Sequence, residues 1–428
     1  MNAPLPAAVG QAWVERLAAS ECPALTTRRK RREEQTGASH DPIVWTEARG
    51  ANVLDVDGNR YVDLTSGFGV AFIGHRHPRV VEALKSQADR LLHALGDLHP
   101  SDRKVELLER LCALSPWRDA RAMLSLSGAD AVTAALKTAV LATGRPGVIA
   151  FEGGYHGLSY GPLAVSGYAE RFRAPFREQL QAKVSFAPWP SDEAAVARTL
   201  AALPHDWSEI GAVIVEPIQG RAGVRVPPKG FLATLERISH EHGALLIVDE
   251  IFTGLGRCGS WWRSTEDGAV PDLLCVGKAL GGGLPISACL GKEEVMAAWG
   301  TPDEEAIHTG TFYGDPLGCA AALATLELIE SDGLIDAAAS RGHAFADALR
   351  SSSASGITEV RQAGMLLGLQ LEEPMQALSL ARRLLERGYL VLPAGAEADV
   401  LQLAPPVTLT DAQRDAFIET LVAAMEGS

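Results

Sequence analysis

Three short apolar runs, each ending within two residues of an ionisable side chain, set the strongest limit on how this chain can fold. They are Ala212-Val213-Ile214-Val215 before Glu216, Ala244-Leu245-Leu246-Ile247-Val248 before Asp249, and Leu273-Leu274-Cys275-Val276 before Gly277-Lys278. Apolar runs of this length bounded by turn signals read as buried strands of a parallel sheet. Pro271-Asp272 is one such signal. Open parallel sheets bind ligands beyond the carboxyl ends of their strands. Glu216, Asp249 and Lys278 are therefore expected to meet at one sheet edge.

A lysine and a carboxylate at strand ends suit pyridoxal 5'-phosphate. The lysine forms the Schiff base, and the carboxylate keeps the ring nitrogen protonated. The phosphate needs an anion site. Ser125-Leu126-Ser127-Gly128-Ala129-Asp130 precedes a helical stretch, Ala131 to Leu141. A helix N-terminus offers free backbone N–H groups and partial positive charge. Gly128 allows close approach and Ser127 adds a hydroxyl, although an ordinary serine cap reads the same way.

The block from Ile247 to Arg257, followed by Pro271-Asp272 and Lys278-Ala279-Leu280-Gly281-Gly282-Gly283, resembles the signature of class III pyridoxal-phosphate aminotransferases. The resemblance begins at Val53-Leu54-Asp55-Val56-Asp57-Gly58-Asn59 and passes through Gly74-His75-Arg76-His77-Pro78. It continues through Tyr155-His156-Gly157 and Glu216-Pro217-Ile218-Gln219-Gly220 to Leu403-Ala404-Pro405-Pro406. It implies an α/β, fold-type-I architecture with a large domain on a mixed, mostly parallel sheet. A smaller α+β domain would be built from both chain ends. It makes Lys278 the Schiff-base lysine and proton shuttle and pairs Asp249 with the ring nitrogen. Tyr155 would stack on the ring beside His156, and Ser127, Gly128 and Ala129 would hold the phosphate. Glu216 and Phe252 would line the cofactor. Thr311 would reach the phosphate of the neighbouring subunit, which implies a homodimer.

Departures from that pattern bear on the substrate. Phe252 stands where glutamine is common and cannot hydrogen-bond the ring hydroxyl. Asp130 and Asp315 replace a common Glu and Asn. Members using 2-oxoglutarate often carry a Glu shortly after the Glu-Pro motif and an Arg before the Pro-Pro. Here those positions hold Arg221 and Gln402. Both are candidate substrate contacts, and the usual carboxylate clamp is altered.

The alternation of patterns divides the chain into an N-terminal segment, 1–75, a large cofactor domain, 76–325, and a C-terminal small domain, 326–428. Expected helices run from Arg79 to Leu92, Leu232 to Glu241, Ala320 to Glu330, Leu378 to Arg387 and from about Thr410 to Ala424. Expected strands include Gly147 to Phe151, Ala363 to Glu372 and Tyr389 to Leu392. The basic cluster Arg28 to Arg32, followed by Glu33 and Glu34, reads as a solvated helix face.

The net charge of −14 argues against generic nucleic-acid binding. Cys22, Cys112, Cys258, Cys275, Cys289 and Cys319 show no tight pairing pattern, which suits reduced thiols and a cytoplasmic location. A secretory signal and a membrane span are not expected. Gly254-Leu255-Gly256-Arg257-Cys258-Gly259 matches a dinucleotide pattern but does not open a helix directly after its strand. His75 and His77 have no second ligand pair, so no metal is expected. The expected activity is transfer of an amino group from an amino acid or amine to a keto acid. A racemase, epimerase or aminomutase on the same cofactor is the alternative. A protein keeping the fold only as a binding module is disfavoured by Lys278, Asp249 and Tyr155 together.

Overall fold

The structure, a computed structural model, describes residues 5–204, 206–300, 305–352 and 354–426. The ends of the expected first and last domains, residues 1–4 and 427–428, lie outside it. The chain opens with helices α1 (Ala8–Ser20) and α2 (Pro23–Thr36), then strands β1 (Trp45–Arg49), β2 (Asn52–Asp55) and β3 (Arg60–Asp63). Seven strands follow that form one sheet: β4 (Ala120–Ser125), β5 (Gly147–Phe151), β6 (Val184–Ala187), β7 (Ile210–Val215), β8 (Leu245–Asp249), β9 (Leu273–Val276) and β10 (Ser287–Lys292). The last strands are β11 (Ile357–Ala363), β12 (Leu366–Leu371), β13 (Tyr389–Leu390), β14 (Leu392–Ala394) and β15 (Val400–Leu403).

The large sheet has the order β4-β10-β9-β8-β7-β5-β6. Only β10 runs against its neighbours. Both faces are covered, which explains why the central strands are apolar at every position. Ala212, Ile214 and Ile247 face the helix Gly128–Thr143, whose Ala131, Ala134 and Ala135 pack beside them. Val213, Val215, Leu246 and Val248 face Phe151, Trp189 and Phe231 on the other side. The alanine-rich helix suits close packing and carries strong intrinsic helix propensity. Ser127 caps its start, and Gly144, at φ 68°, ends it in the left-handed region.

Both chain ends contribute to the remaining sheets. β13 pairs in parallel with β3, joining residues near 390 to residues near 62. β11, β12, β15 and β14 form an antiparallel sheet, with Phe345, Phe417 and Leu421 in the core beside it.

Several local expectations change. The strand expected from Ala363 to Glu372 is β12, Leu366–Leu371, which starts later because Gly364 turns the chain at φ 52° out of β11, its hairpin partner. A Cβ there would lie 2.5 Å from the Arg257 carbonyl oxygen. The run Tyr389 to Leu392 splits between two sheets. The helix expected to reach Leu92 ends at Ala88, where the Gln87 side chain turns back to the Leu91 carbonyl at 2.9 Å. The basic cluster is a solvated face at Arg28, Lys30 and Arg31. Arg29 pairs with Glu21, and Arg32 is half-buried.

Candidate active site

Strand register places the three strand-end groups side by side. Val215 lies opposite Val248, so Glu216 follows in the row of Asp249. Cys275 lies opposite Asp249, and Lys278 comes three residues later. The residue types that end the three apolar runs thus converge on one sheet edge. Lys278 sits at φ 41°, a region unfavourable for a side chain with a Cβ.

Lys278 makes no hydrogen bond or ion pair among the described residues. Its Nζ lies 4.7 Å from the centre of the Phe252 ring. Burial lowers its pKa, against the charges of Asp249 and Glu216, and Arg257 adds a further downward push. A lysine so placed loses its proton more readily than one in water, the condition for nucleophilic or base chemistry near neutrality. Phe252 itself is held in a slot between two glycines. A Cβ on Gly69 would come within 2.4 Å of one ring edge, and a Cβ on Gly220 within 2.4 Å of the other.

Asp249 is buried, and both of its oxygens are engaged. His156 Nδ1 donates to Oδ2 at 2.8 Å, and the Ile251 backbone N–H donates to Oδ1 at 3.1 Å. Burial acts to lower the His156 pKa, but the Asp249 hydrogen bond and the charges of Asp249 and Glu216 override it and raise it. His156 is thereby biased toward its charged form. The His156 backbone N–H donates in turn to Ser166 Oγ at 3.0 Å. Ser166 is a supporting residue with no sequence signal beyond its place after an apolar stretch.

Glu216 accepts from the Tyr155 N–H at 2.8 Å and from the Gly220 N–H at 3.2 Å. It ties the Tyr155 loop to the turn after β7, so its carboxylate acts on the pocket through those loops. Burial pushes its pKa up to about 7, helped by Asp249 and opposed by His156 and the two backbone donors. The fold therefore binds this proton more tightly than the unfolded chain does. That contribution to stability is complete below the ordinary carboxylate value of 4.5 and is lost as pH rises through about 7. Compared with Glu216→Gln, the cofactor-free parent is expected to lose thermal stability steadily between about pH 5 and about pH 8. Melting curves that stay parallel across that range would contradict the assignment. A constant offset is expected as well, because the Gln amide cannot accept from both backbone donors.

The N-terminus of the helix Gly128–Thr143 opens beside this edge. Ser127 and Asp130 form a reciprocal cap, with Asp130 N–H to Ser127 Oγ and Ser127 N–H to Asp130 Oδ2 both at 3.2 Å. The Gly128 and Ala129 N–H groups belong to the unpaired first turn. Gly157, at φ 120°, packs the Tyr155 loop onto Ala129; a Cβ there would lie 2.8 Å from the Ala129 Cβ. A free anion site, an unpartnered buried lysine and a buried carboxylate are thus brought together, which fits pyridoxal phosphate.

The two candidate substrate contacts behave differently. Arg221 stacks 4.6 Å over Tyr155 and 5.0 Å over Tyr168, and no carboxylate pairs with it among the described residues. Gln402 is buried, and its Nε2 donates to the Gly220 carbonyl at 3.0 Å. It fixes the turn that admits Phe252. Thr311 lies exposed on its loop. The cap of the following helix is Asp315, whose Oδ1 accepts from the Gly318 N–H at 2.7 Å, so Thr311 is not needed there.

Arg257 is a buried residue to which sequence reasoning gave no role. Its guanidinium donates to Pro405 O at 2.5 Å, Met365 O at 3.2 Å, Ser66 Oγ at 3.3 Å and Gly69 O at 3.5 Å. It joins the C-terminal segments to the Gly69 wall of the Phe252 slot. The two histidines set aside as metal ligands are also accounted for. His75 Nε2 contacts Asp63 at 2.7 Å, and His77 caps a helix. No cluster of three or more metal-ligating side chains occurs among the described residues.

Fold and site together define a pyridoxal-phosphate enzyme of fold type I. The family model for class III aminotransferases matches residues 35–425, and the chain belongs to that family. It is 38% identical to an acetylornithine aminotransferase of Mycobacterium tuberculosis, over 90% of this chain and 92% of that protein. The acetylornithine aminotransferase of Methanosarcina mazei is 35% identical over 89% and 91%. An amine transaminase from an uncultivated Pseudomonas species superposes with a TM-score of 0.84 at 29% identity, covering 90% of this chain and 95% of that one. The ornithine aminotransferase of Toxoplasma gondii does so with a TM-score of 0.81 at 28% identity, covering 92% of each. The protein is a pyridoxal-phosphate-dependent aminotransferase.

Proposed function

We propose that Lys278 holds the cofactor through Nζ and that the substrate is an amino or keto acid whose carboxylate meets Arg221. The observation that carries this reading is a stacked, unpaired guanidinium on the pocket wall. When bound, pyridoxal phosphate supplies an electrophilic carbon and a ring that withdraws electrons from the substrate's reacting carbon. Asp249, backed by His156, would keep a proton on the ring nitrogen. Tyr155 would cover one ring face, with its loop fixed by Glu216. Ser127, Gly128 and Ala129 would hold the phosphate, and Phe252 would line the slot beneath Lys278. Freed from the cofactor, Lys278 would take the proton from the substrate carbon and return it to the adjoining position. Gln402 would set the pocket wall without touching substrate.

An Arg–carboxylate contact is strong and planar, and stacking pre-orients the guanidinium. Arg221→Ala is expected to raise the KM of carboxylate substrates about tenfold or more, with a far smaller effect on amines lacking a carboxylate. An unchanged KM for every carboxylate substrate would refute the contact. A strict requirement for a keto acid separates this activity from racemase or aminomutase chemistry. The acetylornithine aminotransferases among the relatives support an amino-acid donor.

The homodimer belongs to the same reading. Leu92, Leu95 and Leu98 lie 59–74% exposed, as do Ile307 and Phe312 at over half. Their two loops meet where the His93 and Phe312 rings contact each other, tilted by 52° with centroids 5.2 Å apart. An apolar surface of this kind suits a partner subunit, and it would carry Thr311 into the neighbouring phosphate site. Dilution to monomers should then release cofactor; a monomer retaining full occupancy in sedimentation would contradict it. A division into lobes near residues 75 and 325 is supported by the β3–β13 pairing. No helix among the described residues is long and apolar enough to cross a membrane. The free cysteines suit a reducing, cytoplasmic setting.

A further inference from the structure

The slot around Phe252 is built from distant parts of the chain. The Cδ2–Cε2 edge of the ring faces Gly69, and the Cδ1–Cε1 edge faces Gly220. Gly69 stands at φ 86°, a region that favours glycine, and its carbonyl accepts from Arg257 Nη2 at 3.5 Å. Gly220 is tied through both of its backbone groups. Its N–H donates to Glu216 Oε2 at 3.2 Å, and its carbonyl accepts from Gln402 Nε2 at 3.0 Å. A ring gripped on two edges by fixed backbone presents its face in one direction.

Lys278 lies over that face. Its Nζ is 4.7 Å from the ring centre, inside the roughly 6 Å within which an aromatic face attracts a cation. The stem packs on the same wall, since a Cβ on Gly69 would stand 3.3 Å from Lys278 Cδ as well as striking the ring. No hydrogen bond or ion pair fixes the amino group among the described residues. A lysine stem without such a partner samples many rotamers. The charged groups around it are Asp249 and Glu216 at the strand ends, His156 on Asp249, and Arg257 on Gly69. Asp249 and Glu216 already accept from other donors. The contact left to orient Nζ is the ring.

We propose that Phe252 is a positioning residue whose ring face seats the Lys278 amino group at the strand ends whenever that group is not bonded to cofactor. This rests on the reading of Lys278 as the cofactor lysine. It gives the two departures at Phe252 and Gln402 a single explanation, because Gln402 braces the Gly220 wall that keeps the ring in place.

The test uses the full chain freed of cofactor, the state in which the amine is unbonded. Lysines are labelled with trace acetic anhydride at graded pH, and the Lys278 peptide is read by mass spectrometry, with exposed Lys30 as reference. Phe252→Leu removes the face that favours the charged amine. At neutral pH, Lys278 should then label about fivefold faster relative to its own high-pH plateau, while Lys30 is unchanged. Replacing Phe252 by 4-fluorophenylalanine keeps the shape of the ring and weakens its face; the para carbon is not among the ring atoms nearest either glycine. A smaller shift in the same direction is expected, and this variant decides if Phe252→Leu misfolds or admits water. Gly220→Ala, whose Cβ would come 2.4 Å from the ring, should also shift the parent and add little to Phe252→Leu, since both act through one contact. An unchanged Lys278 profile with the fluorinated ring overturns the proposal. So do fully additive effects of Gly220→Ala and Phe252→Leu, which would mean that the wall acts on the lysine without the ring. If borohydride places the cofactor on a different lysine, the reading of Lys278 fails, and the labelling profiles still decide what seats its amine.

Discussion

Lys278→Ala is expected to fold normally and to lose turnover by more than the roughly 10²–10⁴-fold that a positioned proton-transfer group supplies. The loss would exceed that figure because, on the proposed reading, the same side chain would also hold the cofactor. The fold survives because the Lys278 side chain makes no hydrogen bond or ion pair among the described residues, and its long stem only lines the Phe252 slot. Removing a left-handed lysine gives no relief from strain, since alanine carries the same Cβ. Circular dichroism and the melting temperature should match the parent. A variant that retained steady turnover would show that another base moves the proton.

Asp249→Asn is expected to cost about 10²–10³-fold in rate, equivalent to about 3–4 kcal/mol of lost electrostatic stabilisation. Asparagine preserves the shape and one acceptor for His156 but removes the buried negative charge. Its amide nitrogen would also put a donor against one of the two N–H groups that Asp249 now receives. The effect should fall on kcat, because the carboxylate acts on charge that develops during reaction. Near-parent kcat in the Asp249→Asn enzyme would move the electron-sink role to a different group.

The core of this site is legible in the sequence because it follows from strand patterning. Glu216, Asp249 and Lys278 stand at the ends of apolar runs, and parallel register then brings them into one row. Ser127 and Gly128 are legible as a helix start. What sequence patterning cannot supply are contacts between distant segments. The slot for Phe252 needs Gly69 and Gly220 on opposite sides, and neither glycine differs locally from any turn residue. Arg257 draws its partners from residues 66–69, 365 and 405. Gln402 sits where a substrate contact is expected, yet its amide is taken by the Gly220 carbonyl. The hairpin at Gly364 is hidden for a similar reason, since its turn is dictated by close approach to the Arg257 backbone.

The most direct test of the account is chemical. The holoenzyme is reduced with borohydride, digested, and the peptides are mapped by mass spectrometry for a pyridoxyl adduct. The predicted result is one modified lysine, Lys278. An active enzyme labelled on a different lysine, or carrying no adduct at all, would contradict it.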